Sequence, residues 1–263
     1  MASPETISKE LTERLNALSR RDNPKEITEI EKFRFKKDIE ALKKIDFGEG
    51  MMALAIFCAI IGEEENSIDA HKRACDRQSY NPIYHNNFAI TLTAFGWLNE
   101  AFDYCAKSVR LDPSNPRFIH QAGELAICIG RLEEYLELVS LHFKATQDES
   151  IMKRDSSIIA QDVLRQLKAL DVSDKDLNYA YLKVESICRK HGVPIMESIF
   201  GTNVADEHRY LSVNVRVNCS GQKLSQMNSD LSDLIAEDFE FAAWNTIIHT
   251  FTHTERKKRD YQS

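Results

Sequence analysis

The closest thing to a chemical site in this sequence is a pair of histidines, His249 and His253, in the run Thr246-Ile-Ile-His-Thr-Phe-Thr-His253. On a helix, histidines four apart share one face and can share a zinc ion. This run is rich in β-branched residues and reads as a strand. There the two rings keep one face but stand roughly 13 Å apart along the strand. Strand-face histidines are expected, and no metal. Six cysteines stand at positions 58, 75, 105, 128, 188 and 219. None forms a CxxC pair, and most lie in apolar helical stretches where a free thiol acts as a small hydrophobe. Glu207, His208 and Arg209 are adjacent, but in a polar stretch ahead of a strand pattern, which reads as a loop. No glycine-rich phosphate loop and no GxSxG occur. The expectation is a protein that is not an enzyme and needs no cofactor.

Composition narrows the class. With 263 residues the chain can bury a sizeable core, and nine glycines with six prolines favour long helices over turn-rich β architecture. The net charge of −7 is spread without a basic footprint, so nucleic acid is not an expected partner. The short cluster Arg256-Lys257-Lys258-Arg259 reads as a solvated tail. No apolar run approaches the roughly 20 residues of a membrane helix. Met1 to Glu5 lacks the basic-then-apolar pattern of a secretory signal, so a cytoplasmic location is expected.

Internal repetition organises the middle of the chain. Gly62, Gly96 and Gly130 are spaced by 34 residues, and so are Pro82 and Pro116. Ala55, Ala89 and Gly123 share that register, as do Leu54, Phe88 and Ala122. The pattern describes a helical hairpin. A small residue at position 8 lets two helices approach, and the glycine ends the first helix in a left-handed conformation. The proline opens the next unit inside a first helical turn. The middle unit runs from Pro82-Ile-Tyr-His-Asn-Asn-Phe-Ala through Gly96-Trp-Leu-Asn-Glu-Ala101 to Leu111-Asp112-Pro113.

These residues resemble the tetratricopeptide repeat (TPR) family over about residues 48–147. The outer units depart from the pattern: Tyr135 and His142 replace small residues in the third, and Ser79 stands where the first should have proline. The fold class that follows is mostly α, a TPR-like helical solenoid followed by a small α+β (β-β-α-β) module. Residues 1–46 form a helical flank, 47–192 the solenoid, 193–255 the module and 256–263 a basic tail.

The flanks are read from periodicity. Ser8 begins a short helix, and in the stretch from Glu26 to Lys44 the residues Ile30, Phe33, Ile39 and Leu42 are expected to face the first repeat. Ile158, Ile159, Val163, Leu167 and Leu170 form one helix face. Ser173 starts a second helix with Leu177, Ala180, Tyr181, Val184, Ile187 and Cys188 inward, ended by Gly192 and Pro194. Ile195 to Phe200 is a strand turning through Gly201-Thr202-Asn203. Leu211, Val213, Val215, Val217 and Cys219 alternate as a half-buried strand. Leu224, Met227, Leu231, Leu234 and Ile235 read as a helix, and Phe241 to His253 as the last strand.

The resemblance implies a concave surface lined by the first helix of each unit. In this sequence it carries Glu49, Met52, Ile56, Ala59 and Ile60, then Ile83, Asn86, Ile90, Thr93 and Ala94, then Arg117, His120, Glu124, Ile127 and Cys128. TPR domains that hold a C-terminal carboxylate use a basic residue and an asparagine where Met52 and Ile56 stand. Asn87 and Arg117 match two further clamp positions, but Gln121 replaces the last basic one, so that use is not expected. The implied function is an adaptor whose groove takes an apolar or amphipathic segment of another protein, burying Met52, Ile56, Ile83, Ile90 and Ile127 and steered by Asn86, Arg117, His120 and Glu124, with Thr93 also counted among the partner-binding residues. Burial of that face by the chain's own flanking helices is the competing outcome. The module would add a second contact or form a homodimer. Two other readings fit: an immunity- or antitoxin-type protein that neutralises a basic partner, and a small enzyme or nucleic-acid reader in the C-terminal module, with Trp244, Phe251 and the histidines around one cleft.

Overall fold

The computed structural model describes residues 4–21, 23–203 and 208–254, without the side chains of residues 4–7. Glu207 and the basic tail of the sequence reading lie outside the described residues. Two compact units make up the chain, Met1–Leu92 and Thr93–Ser263, and the division falls inside one helix, α5 (Pro82–Phe95).

In the first unit, α1 (Pro4–Ser19) and α2 (Glu29–Ile45) pack on α3 (Phe47–Ile61), which pairs with α4 (Glu64–Arg77). Thr28 and Glu31 close a capping box at the start of α2. Leu11, Leu15 and Leu18 of α1, Phe35, Ile39 and Leu42 of α2, and Ala53, Phe57 and Cys58 of α3 form one core. The Phe35 and Phe57 rings stack at 5.1 Å. The inward stripe of α2 therefore runs through Phe35, Ile39 and Leu42. Ile30 and Phe33, expected to face the first repeat, project from the opposite side and are 68% and 69% exposed. At 100° per residue they cannot share a side with Phe35.

The second unit continues through α6 (Leu98–Leu111), α7 (Pro116–Ile129), α8 (Leu132–Thr146), α9 (Asp155–Ala169) and α10 (Asp174–His191). In chain order α6 to α8 repeat the helix-turn-helix pattern of α3 to α5 in the 34-residue register, and no described residue between 51 and 145 is in a strand. Gly62, Gly96 and Gly130 take φ of 82°, 82° and 74° at the three turns, the left-handed region that glycine enters without penalty.

The irregular Tyr135 of the third hairpin is matched by Gly123. In the first hairpin Ala55 and Ser67 meet, and the Ser67 hydroxyl donates to the Ala55 carbonyl at 2.7 Å. In the third, a Cβ added to Gly123 would lie 2.7 Å from the Tyr135 hydroxyl oxygen, so the missing side chain makes room for the ring. Tyr135 is fully buried, with its hydroxyl beside Ser156 and Ser157. His142 is also buried and donates through Nδ1 to the Pro113 carbonyl at 2.6 Å. The Tyr135 contacts lie on the inward side of α9: Ser157, Ala160, Val163 and Leu167 face inward, and Ile158 and Ile159 are exposed rather than on the inward face assigned to them.

The rest of the second unit is a β-β-α-β arrangement: β1 (Ile195–Asn203), β2 (Tyr210–Val217), α11 (Gly221–Glu237) and β3 (Ile247–His253). β1 is antiparallel to β2, and β2 is parallel to β3, with α11 as the crossover. Gly201, Thr202 and Asn203 continue β1 instead of turning, and pair with Ser212, Leu211 and Tyr210. Cys219 falls beyond β2. The last strand starts at Ile247, since Ala242–Asn245 is a 3-10 turn in which Phe241 and Trp244 stack edge to face. One sheet face is apolar and covered, carrying Leu211, Val213, Val215, Val217, Ile247, His249 and Phe251. Asn228 of α11 closes the outer edge of β3, accepting from the Phe251 N–H at 2.9 Å and donating to its carbonyl at 3.0 Å.

Gly123→Ala is expected to cost about 1–3 kcal/mol through overpacking against Tyr135. In a Tyr135→Ala background the same change should cost much less. A urea-denaturation double-mutant cycle checks the coupling, and strictly additive losses would contradict the contact.

Candidate partner-binding surfaces

The residues inferred for a concave face fall into two groups. In the first unit Met52 is buried, and Ile56 and Ile60 pack against the core built by α1, α2 and α3. The chain's own flanking helices occupy that part of the face. On α5, Ile83 and Ile90 remain open at 57% and 51% exposure. Asn86 lies between them in sequence, half-buried, and its Oδ1 meets no hydrogen-bond partner. Further along α5, Thr93 is half-buried and Ala94 exposed.

In the second unit α7 begins with a polar face. Asn115 caps it through the Arg117 N–H at 3.1 Å, and the Arg117 side chain is exposed. One turn apart, His120 and Glu124 are exposed and pair at 3.4 Å. Ile127 and Cys128 at the far end are half-buried, where β1 approaches α7.

The periodicity gave no hint of the polar contacts of α10. The second helices of the hairpins begin at Leu98 and Leu132 behind Trp97 and Arg131, neither of which makes a side-chain cap bond. Their first N–H groups need other acceptors. Glu185 accepts from the Asn99 N–H at 3.1 Å and from the Asn99 amide at 2.9 Å. Asp174 accepts from the Glu133 N–H at 3.1 Å. Asn99 and Glu133 are 34 residues apart, so one helix caps the same position in two successive hairpins. Between these points Asn178 donates to Asn99 Oδ1 at 2.8 Å and to the Ile129 carbonyl at 2.7 Å. Carboxylates near helix N-termini are also favoured by the helix dipole. Burial pushes the Glu185 carboxyl up, against the opposing pull of its bonds to Asn99. The signal in the sequence was Glu185 itself, an acid between Val184 and Ile187 on an apolar face.

Of the four buried histidines, burial holds two well below the usual imidazole range. His249 has no hydrogen-bond partner on either ring nitrogen and packs edge-on against Tyr181 at 4.9 Å; burial pushes its pKa down to about 3. His71 is stacked on Phe88 at 4.8 Å, with Nε2 2.8 Å from the Thr91 hydroxyl, and burial takes it to about 3 as well. Of the side chains named for a cleft in the C-terminal module, Phe251 and His249 are buried, Trp244 is half-buried and His253 is exposed. Among the described residues no group of three or more His, Cys, Asp or Glu is placed to hold a metal. No described helix is long and apolar enough to cross a membrane.

Compared with known proteins, the chain matches no family model, and none of the curated proteins is detectably similar to it.

Glu185→Ala should destabilise the fold by about 1–3 kcal/mol, since it leaves the Asn99 donors without an acceptor. Glu185→Gln keeps an acceptor and should cost less. A carboxyl raised in the fold contributes stability at low pH that is lost as pH climbs through its folded value. The glutamine variant should therefore gain on wild type as pH climbs above the ordinary carboxylate range, read from melting temperatures. For His249 the sign is opposite. The unfolded chain takes up a proton near pH 6.5 that the fold refuses, so stability falls as pH drops below that value, by up to about 1.4 kcal/mol per unit. His249→Phe should flatten this acid slope in urea titrations; an unchanged slope would contradict a neutral buried ring.

Proposed function

We propose that this chain is an intracellular protein-interaction adaptor of TPR type, and that the outward face of α5 holds an apolar or amphipathic segment of another protein. The observation that carries the reading is the exposure of Ile83 and Ile90, two large aliphatic side chains on one helix face at 57% and 51%. They stand two turns apart with Asn86 between them in sequence. The aliphatic pair supplies apolar area. The Asn86 amide oxygen is buried without a partner, so the aliphatic pair supplies the recognition on this face. Met52 and Ile56 are drawn into the chain's own core and take no part. On α7, the exposed Arg117, His120 and Glu124 are a separate polar face suited to charged side chains.

Ile90→Glu tests this reading. A glutamate there would set an unpaired charge against an apolar ligand, a cost of a few kcal/mol. At about 1.4 kcal/mol per tenfold, affinity should drop by two orders of magnitude or more. With the side chain half exposed in the free protein, the melting temperature should barely move. The measurement is affinity capture from native lysate with wild type and variant side by side, followed by titration of the recovered partner. A variant that binds as well as wild type would remove α5 from the function. One that unfolds would show Ile90 to be a core residue.

A further inference from the structure

The exposed side of α2 carries a second recognition chemistry, independent of the α5 face. Phe35, Ile39 and Leu42 are buried in the core of the first unit. On the opposite side Ile30 and Phe33, one turn apart, are 68% and 69% exposed, more than the two open aliphatic residues of α5. Scattered exposed apolar residues are ordinary, so these two gain meaning only from the charges around them.

Those charges are sorted. Each acidic side chain of α2 is already engaged: Glu29 with Lys32 at 2.9 Å, Glu31 with Arg21 at 2.8 Å, Asp38 with Arg14 at 2.6 Å and Glu40 with Lys43 at 2.6 Å. Arg34, Lys37 and Lys44 on the exposed side have no ion-pair partner among the described residues. A chain with a net charge of −7 thus presents a local cationic strip around two bare apolar side chains.

We propose that the exposed face of α2 docks an acidic segment of a partner protein, one that inserts apolar side chains over Ile30 and Phe33 and sets carboxylates against Arg34, Lys37 and Lys44. Apolar burial over the first turn provides affinity, and the cations provide orientation and on-rate. The scale of the patch favours a short segment over an anionic bilayer. At physiological salt the screening length is about 8 Å, so a bound peptide senses the strip alone. A membrane surface extends past it and also meets the exposed acids of the same helix, Glu29 and Glu40.

The test is selection of a random displayed-peptide pool against the full chain. Enriched peptides should be net acidic, with Leu, Ile, Phe or Trp among the acids. Their affinity should fall at least tenfold with Phe33→Ser and with Lys37→Glu, and weaken as salt is raised. Ile90→Glu should leave it unchanged, which separates this surface from the α5 face. Both test residues are exposed, so circular dichroism melts should match wild type, and Ile30→Ser gives an independent second variant. The proposal is overturned if no peptide is enriched, if the enriched peptides are not acidic, or if they ignore Phe33→Ser and Lys37→Glu. It is equally overturned if the Phe33-dependent ligand proves to be phosphatidylserine vesicles, or a second copy of this chain detected by sedimentation.

Discussion

A helix N-terminus with nothing to accept its first N–H groups is the constraint around which the second unit is organised. The turns at Gly96 and Gly130 lead directly into helices whose preceding residues, Trp97 and Arg131, leave those groups uncapped. α10 supplies what is missing, with Glu185 at one start and Asp174 at the other. Both carboxylates project from one rigid helix, so the two hairpins are held in a common frame. Gly130 shows how close the fit is: a Cβ there would sit 2.7 Å from Leu177. Another side of α10 meets the sheet through Tyr181 and His249. One helix is therefore committed on several sides, and eight of its eighteen residues are buried.

The repeat was legible because each column has a local cause. A left-handed turn demands glycine, close helix contact demands a small side chain, and a first helical turn admits proline. Each demand is met within one 34-residue unit, so its residues recur at fixed spacing. The alternation of Leu211, Val213, Val215 and Val217 was readable for a similar reason, since one covered face imposes a period of two. Helix rotation was harder. Ile30, Phe33, Ile158 and Ile159 are apolar and look inward by type, yet neighbouring stripes set the rotation of their helices. Least legible were the contacts between Asn99 and Glu185 and between Glu133 and Asp174, which join residues far apart in sequence.

The inferred binding face shows the same division. Residue type put Met52, Ile56, Ile83 and Ile90 together as one apolar set. Packing divides the set, with Met52 buried, Ile56 packed against a core shared with the N-terminal helices, and Ile83 and Ile90 left in solvent. No local pattern distinguishes the two fates, because the difference comes from what α1 and α2 cover. Terminal helices commonly close a helical array, and this closure uses apolar surface on α3.

A three-stranded sheet has two open edges, each a row of backbone groups that another chain can template on. At Phe251 on β3 that row is interrupted. The Asn228 amide bonds to both the N–H and the carbonyl of this residue, as a neighbouring strand would. An incoming strand would have to displace a side chain anchored in α11 before it could pair along the full edge. The crossover helix that makes the parallel pairing feasible therefore also blocks that edge at Phe251, a local obstacle to fibrous self-association built from a single asparagine.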